Sequence, residues 1–350
     1  MAQSDDMIFM RRCLDLAGKA VGYTSPNPFV GAVVVHNGKI IGEGYHLEAG
    51  TPHAEVHAVN AVVDKSLLPH SVLYVSLEPC SHQGRTPPCA DLIIRSGIRK
   101  VVIGTGDTSL KVAGKGIERM RQAGIEVVSG VLEEECREIN RRFFTVHERH
   151  RPYVILKWAR SADGFIDTVR APGEAIGTHW ITGMPERILV HKWRAAEDAI
   201  LAGGATIRAD NPSLDVRFWK GRNPVRIIVC RSGNIDPDAK VLNGPAKVKL
   251  FTCNVSITLP GAEVIQFNDQ NIAGSVLKIL CEMEMQSVLV EGGAFIISQF
   301  VGSGLWDEVR RFTGRMNFGN GVADPFPSFR PDEAFSFAKS TLEIARNRIK

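Results

Sequence analysis

The sequence predicts two consecutive α/β domains, and three observations carry that expectation. At 350 residues the chain is longer than one ordinary hydrophobic core accommodates. In both halves short apolar runs alternate with segments of helical period, the order of strands and their covering helices. Between the halves, His147-Glu148-Arg149-His150-Arg151-Pro152 is polar and ends in proline, which places one domain at residues 1–148 and the other at 149–350.

The elements follow in order. From Asp5 to about Gly22, apolar residues at Ile8, Leu14, Ala17 and Val21 keep helical spacing. Phe29–Val35 and Lys39–Ile41 flank Asn37-Gly38, and a two-residue hairpin turn needs positive φ at both positions, which Asn and Gly tolerate best. A short helix through His53 to Val63 precedes a strand at Val72–Leu77 and a helix from about Cys89 to Ser96. A strand at Lys100–Gly104, a helix at Lys115–Ala123, a strand at Glu126–Val128 and one charged helix over Glu133–Phe144 complete the first half. In the second, strands are predicted at Tyr153–Leu156, near Ala199–Ala202, at Val225–Cys230 and at Val248–Phe251. A helix near Ile272–Met283, a strand at Val288–Val290 and a Gly-Gly turn then lead into a helix starting near Ala294. No repeat relates the halves.

Composition narrows the function classes. The chain is 44% hydrophobic and 23% charged with a net charge of +4, compatible with small phosphorylated substrates and giving no argument for a nucleic-acid groove. The start, MAQSDDMIFMRR, lacks the continuous apolar run of a signal peptide, and no later stretch is long enough to cross a bilayer. Seven cysteines at irregular positions (Cys13, Cys80, Cys89, Cys136, Cys230, Cys253, Cys281) do not form a secreted disulfide framework. A cytoplasmic enzyme without nucleic-acid or membrane partners is expected.

Chemistry concentrates in the first half. His53-Ala54-Glu55 is followed, after one strand, by Pro79-Cys80 and then Cys89, the H-x-E…P-C…C arrangement of zinc-dependent deaminases. Two thiolates and an imidazole make a tetrahedral site with one position open for water. Glu55, two positions from a ligand, is placed to take the water proton and deliver it to the ring nitrogen and leaving ammonia. His57, one turn after His53, is an alternative ligand, but three ligands plus water already fill the site. The spacing Cys80-x8-Cys89 departs from the usual C-x-x-C.

The stretch Leu77-Glu78-Pro79-Cys80-Ser81-His82-Gln83-Gly84-Arg85-Thr86-Pro87-Pro88-Cys89 resembles the signature of the bifunctional riboflavin-biosynthesis deaminase/reductase family, which has this long insertion between its zinc cysteines. Pro26-Asn27-Pro28-Phe29-Val30-Gly31, Gly42-Glu43-Gly44-Tyr45-His46 and Pro52–Ala58 fit the same family. The resemblance implies an N-terminal cytidine-deaminase-like α/β/α sandwich acting on a diaminopyrimidinone that carries a ribosylamino phosphate. Asn27 would hydrogen-bond the base, and His46, His82, Arg85 and Thr86 would line the ribose-phosphate end.

In the second half the residues themselves show one nucleotide-compatible feature: Val288-Leu289-Val290-Glu291-Gly292-Gly293-Ala294 reads as strand, Gly-Gly turn, helix, where backbone amides approach a phosphate. No G-x-G-x-x-G is present, which argues against an ordinary dinucleotide-binding fold. Lys157, Ser161–Gly164, His179–Thr182, Arg194, Gly204–Thr206, Asp210–Arg217 and Val290–Gly293 resemble the family's reductase half. That resemblance implies a dihydrofolate-reductase-like α/β domain transferring hydride from NADPH to the anomeric carbon of the ribose. Lys157, Asp210 and Glu291 would be active-site or substrate groups, with Thr178, Arg194, Leu214 and Arg217 touching substrate. Ala159, Trp180, Thr206 and the run Gly293, Ala294, Phe295, Ile296, Ile297, Ser298, Gln299 would hold the cofactor.

The chain departs from the family pattern at Asn211, Asp215, Phe165 and Arg315–Gly321. An alternative reading therefore makes the second domain a non-catalytic binding or oligomerisation module. A nucleic-acid editing deaminase is a third, disfavoured by the weak charge. A homo-oligomer, dimer or tetramer, is expected from the prevalence of closed symmetry.

Overall fold

The computed structural model describes residues 2–81, 87–109, 113–170 and 177–348. The chain divides into two compact units, residues 1–150 and 151–350. Among the described residues no helix is long and apolar enough to cross a membrane.

The first unit runs α1 (Ala2–Gly18), β1 (Gly31–His36), β2 (Lys39–Tyr45), α2 (Ala54–Ala61), β3 (Val72–Leu77), α3 (Cys89–Arg95), β4 (Lys100–Thr105), α4 (Lys115–Gln122), β5 (Glu126–Ser129), α5 (Glu133–Ile139) and α6 (Arg141–Arg149). Its sheet has the order β2-β1-β3-β4-β5. β1 is antiparallel to β2 and β3, while β3, β4 and β5 are parallel. The hairpin turn has Asn37 at φ 46° and Gly38 at φ 74°, as the dipeptide requires.

Strand alternation sorts the core into two layers. Ala32, Val34, Leu73, Val75, Val101 and Ile103 pack with residues of α2, α3 and α4. Val33, Val35, Tyr74 and Val102 pack instead with Met10, Cys13 and Leu16 of α1 and Cys136 of α5. The result is an α/β/α sandwich. The first helix ends at Gly18, short of the expected Gly22, and the single charged helix expected over Glu133–Phe144 is two helices. Asn140 breaks it by turning its amide onto the Phe29 backbone, accepting from that N–H at 2.7 Å and donating to that carbonyl at 2.9 Å.

The second unit contains β6 (Tyr153–Arg160), β7 (Phe165–Asp167), α7 (Met184–Ala196), β8 (Ala199–Gly203), α8 (Gly204–Asp210), β9 (Val225–Val229), β10 (Val248–Thr252), β11 (Glu263–Gln266), α9 (Ile272–Glu282), β12 (Ser287–Gly292), α10 (Ala294–Ser303), β13 (Glu308–Gly314), β14 (Val322–Ala323), β15 (Glu333–Ser336) and β16 (Ser340–Arg346). The main sheet has the order β11-β10-β9-β8-β12-β6-β13-β16-β15. The strands from β11 to β13 are parallel, and β16 and β15 add an antiparallel edge. Ala199, Leu201, Ile227 and Val229 face α9 and α10, whereas Ile200, Ala202 and Ile228 face Ile207 of α8 and Leu214. This fully parallel centre, buried on both faces, explains why its strands read as unbroken apolar runs.

Candidate functional site

In the first unit the zinc-type donors converge. His53 caps the N-terminus of α2, Cys89 opens α3, and Cys80 follows β3. His53 Nδ1 lies 3.6 Å from Cys80 Sγ and 3.3 Å from Cys89 Sγ, and the three donor atoms are all within 4.8 Å of one another. Tetrahedral ligands at about 2.3 Å (sulfur) and about 2.0 Å (nitrogen) from zinc stand about 3.5 Å apart, so the triad fits the ion. The Cys89 backbone N–H donates to Cys80 Sγ at 3.3 Å. Hydrogen bonds from Cys89 and His53 push the Cys80 thiol down to about 4, while the Cys89 thiol is pushed up by its contact with Cys80 and by burial.

Glu55 is buried beside this triad, and its Oε2 has no hydrogen-bond partner among the described residues. Burial raises its pKa, offset in part by His53. An unpaired buried carboxyl oxygen at a metal-type site is an atom awaiting water or substrate. His57 is not among the converging donors, and its Nε2 is likewise buried without a partner. The Gly42-Glu43-Gly44 run lies in β2, where the register with β1 shifts between Val34 and Val35: a Cβ on Gly44 would sit 2.3 Å from the His57 Cβ, and one on Gly42 2.3 Å from the Ala58 carbonyl oxygen. These glycines let α2 lie flush on the strand, which sets the depth of His53 and Glu55.

Asn27 and His46 are brought together as one pair. His46 Nδ1 is 3.1 Å from the Pro52 carbonyl oxygen and its Nε2 is 3.0 Å from Asn27 Nδ2. Burial lowers the His46 pKa, so the ring is neutral: Nδ1–H donates to Pro52 and Nε2 accepts from Asn27. The imidazoles of His46 and His53 meet edge to face at 5.2 Å. His82, Arg85 and Thr86 lie outside the described residues.

The second unit holds a cleft of about 1450 Å³. Lys157, Thr178, Arg194, Asp210, Leu214, Arg217 and Glu291 all line it, as do Ala159, Trp180, Thr206 and the run Gly293 to Ile297. Ser298 and Gln299 are not among the lining residues, and Ser298 Oγ donates back to the Ala294 carbonyl at 2.6 Å. At the centre, Arg194 forks onto Glu291 at 2.7 and 2.8 Å, and Lys157 Nζ stands 3.8 Å from the same carboxylate. Burial alone would raise the Glu291 pKa, but Arg194 and Lys157 outweigh it and hold the group at about 2. Burial lowers the Lys157 pKa against the pull of Glu291. Asp210, its pKa raised by burial, is held by Arg170 at 2.6 Å.

For NADPH the fit rests on the helix starts. α8 and α10 each begin immediately after the paired strands β8 and β12, and neither has a side-chain cap, so their first-turn N–H groups are left for a ligand. A Cβ on Gly293 would stand 2.9 Å from Thr206 Oγ1, which narrows the floor between the two helices to glycine.

Sequence reasoning missed His191. It is buried in the cleft wall, its Nδ1 accepts from the Arg217 backbone N–H at 2.9 Å, and its ring meets Phe218 edge to face at 4.8 Å. Burial, with Arg194 and Arg217 nearby, lowers its pKa to about 4. A lone histidine in a helix gives no signal of this; its placement at i−3 from Arg194 is the only hint.

Comparisons with known proteins agree on both units. Residues 3–105 match the cytidine and deoxycytidylate deaminase zinc-binding region, and residues 152–340 match the RibD C-terminal domain. The riboflavin biosynthesis protein RibD of Aquifex aeolicus is 42% identical over 330 residues, 92% of this chain and 90% of the relative. That of Bacillus amyloliquefaciens is 40% identical over 351 residues, 97% of this chain and 92% of the relative. The crystal structure of a diaminohydroxyphosphoribosylaminopyrimidine deaminase/5-amino-6-(5-phosphoribosylamino)uracil reductase from Thermotoga maritima superposes with a TM-score of 0.90 at 38% identity, covering 99% of this chain and 100% of the other. Acinetobacter baumannii RibD gives 0.87 at 31% identity, covering 98% of each chain.

Proposed function

Because the chain belongs to the bifunctional RibD deaminase/reductase family of riboflavin biosynthesis, we infer that it performs two successive reactions on one pyrimidine ribotide. It joins a cytidine-deaminase-like zinc domain to a dihydrofolate-reductase-like domain that uses NADPH. The first reaction is hydrolytic deamination of the diaminohydroxyphosphoribosylaminopyrimidine. The second reduces the ribosyl group of 5-amino-6-(5-phosphoribosylamino)uracil to a ribityl chain. One observation carries this reading: a single chain holds both a zinc-spaced donor triad beside an unpaired buried carboxyl and a cleft centred on Lys157, Arg194 and Glu291.

In the deaminase, His53, Cys80 and Cys89 hold the ion, which supplies Lewis acidity that makes water nucleophilic at neutral pH. Glu55 accepts the first water proton at Oε2 and passes it to the ring nitrogen, then carries the second, from the added hydroxyl, to the amino group that leaves as ammonia. Asn27 gives one Nδ2 hydrogen to His46, so its Oδ1 and its second Nδ2 hydrogen serve the base. His46, neutral, fixes that amide orientation. His82, Arg85 and Thr86 are assigned to the ribose-phosphate end on the family pattern alone.

In the reductase, NADPH supplies the hydride received at the anomeric carbon. That carbon can receive it only once its bond to the ring oxygen has opened, the amine lone pair forming a carbon–nitrogen double bond, and this opening needs a proton at the ring oxygen. Lys157 is the fitting donor: a buried ammonium with a lowered pKa, steered by a carboxylate that Arg194 keeps ionised. Asp210, Thr178, Leu214 and Arg217 line the same cleft for substrate, and Ala159, Trp180, Thr206 and Gly293–Ile297 for the cofactor.

A two-stage assay tests the whole. Zinc-loaded protein given the diaminopyrimidinone ribotide releases ammonia, and NADPH added afterwards is consumed in equal amount. Absence of ammonia overturns the reading, and ammonia without NADPH consumption leaves the second domain non-catalytic. No disulfide joins any of the seven cysteines, which supports a cytoplasmic setting, and we propose a homodimer or homotetramer, to be checked by sedimentation.

A further inference from the structure

The zinc site presents a geometric problem that its own segment does not solve. With a C-x-x-C spacing, one helical turn fixes the second sulfur relative to the first. Here eight residues separate Cys80 from Cys89, and a loop of that length does not set a distance by itself. The loop ends are joined directly by the Ala90 N–H, which donates to the Cys80 carbonyl at 3.1 Å. The remaining restraint comes from α4, which supplies no ligand.

Glu78, two residues before Cys80, is buried, and its carboxylate accepts four backbone N–H groups. Oε1 takes Gly116 and Ile117 at 3.0 and 3.2 Å, and Oε2 takes Gly114 and Asp107 at 3.0 and 3.2 Å. Gly114, at the N-cap of α4, gives no side-chain cap, so the ligand segment provides the cap from 36 residues away in sequence. Contact there is close: a Cβ on Gly116 would lie 2.0 Å from the Pro79 carbonyl oxygen. Three residues along α4, Arg119 reaches both ligand segments. It pairs with Asp91 at 2.7 Å, two residues after Cys89, and donates to the Ser81 carbonyl at 3.4 Å, one residue after Cys80.

We propose that α4, capped by Glu78 and linked through Arg119, is a brace that holds the two zinc thiolates at ligand spacing across the long insertion. Glu78 and Arg119 are positioning residues and touch neither the ion nor substrate. The proposal rests on the zinc reading of His53, Cys80 and Cys89.

The test uses the full chain loaded with zinc, and separately with cobalt(II), as parent, Glu78→Gln and Arg119→Met. Zinc release to a chromogenic chelator is timed, and the thiolate-to-cobalt and d–d bands are recorded, since those bands report the geometry of the sulfur ligands. Release quickens about 10- to 100-fold in Glu78→Gln, the usual effect of losing a group that orients ligands, and about 3- to 10-fold in Arg119→Met, with shifted cobalt bands in both. A role confined to fold stability lowers the melting temperature of the variants without moving the bands. Variants that are folded by circular dichroism, release zinc within twofold of the parent and keep its spectrum overturn the brace. Arg119 is half-exposed, so Arg119→Met decides the matter if Glu78→Gln does not fold. A parent that binds neither metal stoichiometrically overturns the zinc reading itself, and the brace with it.

Discussion

Glu291→Gln separates the electrostatics of the reductase cleft from its packing, because the two side chains share a shape and differ in charge. Glu291 is almost fully buried and forms ion pairs with both Arg194 and Lys157. Holding its pKa at about 2 rather than the ordinary value near 4.5 corresponds to about 3 kcal/mol favouring the ionised form. Removing one partner of a buried pair independently predicts about 3–5 kcal/mol. The second unit should therefore lose about 3 kcal/mol. At a urea dependence of about 2–3 kcal/mol/M, the midpoint falls by about 1–1.5 M.

All five tryptophans (Trp158, Trp180, Trp193, Trp219, Trp306) lie in that unit, so urea unfolding followed by tryptophan fluorescence reads it alone. The pH dependence has a defined sign. A carboxyl whose folded pKa is depressed contributes stability that is complete above about pH 4.5 and lost as pH falls through about 2. The gap between parent and variant should thus narrow between those values. A variant within 1 kcal/mol of the parent at pH 7, or a gap that stays constant on acidification, refutes the reasoning.

Three further outcomes follow from the same geometry. Glu55→Gln should lower deamination about 10²- to 10⁴-fold while zinc content, measured by atomic absorption, stays at parent level; loss of zinc would instead make Glu55 a ligand. Lys157→Met leaves the Arg194–Glu291 pair neutral, so unfolding should change by less than about 1 kcal/mol while NADPH-dependent turnover drops about 10²-fold or more; retained turnover removes Lys157 from the chemistry. His191→Phe keeps the ring against Phe218 but removes the acceptor for the Arg217 N–H, so the KM for the deaminated ribotide should rise about tenfold with kcat little changed, and His191→Asn should restore part of it. A collapse of kcat at constant KM would make His191 catalytic instead.

The zinc triad was legible because its chemistry demands particular residue types in fixed order, and no packing role imitates H-A-E…P-C…C. Elements were hidden where polar residues do work inside the fold. No helix is predicted from the sequence at α7, where Arg187, His191 and Arg194 recur at helical spacing and all three line the cleft. β13 carries Arg310 and Arg311, which disguise a buried strand. Arg311 pairs with Glu343 of the neighbouring strand at 2.9 Å and with Asp324 at 3.3 Å, and Arg310 pairs with Glu308 at 2.6 Å. The break at Asn140 depends on Phe29, 111 residues earlier, and no local pattern announces a partner that distant.

The departures from the family pattern bear on whether the second unit can still catalyse, and they fall where the backbone or an interchangeable oxygen does the work. Asn211 ends α8 in the left-handed region at φ 43°, and its Oδ1 accepts from the Lys240 N–H at 2.8 Å. An aspartate offers the same oxygen and also tolerates that conformation. At Asp215 the main-chain carbonyl receives Arg194, at 3.0 Å, while the carboxylate pairs with Arg217 at 3.0 Å and adds to the field on Arg194. Phe165 is fastened through its own N–H to Ser161 Oγ at 3.0 Å. The altered Arg315–Gly321 segment is docked by main-chain bonds as well: the Asp163 carboxylate accepts the N–H groups of Phe318 at 3.1 Å and Gly319 at 2.7 Å. The Arg194–Glu291 fork and the Lys157 contact are made without any of the replaced side chains, and that favours a working reductase over an inert module.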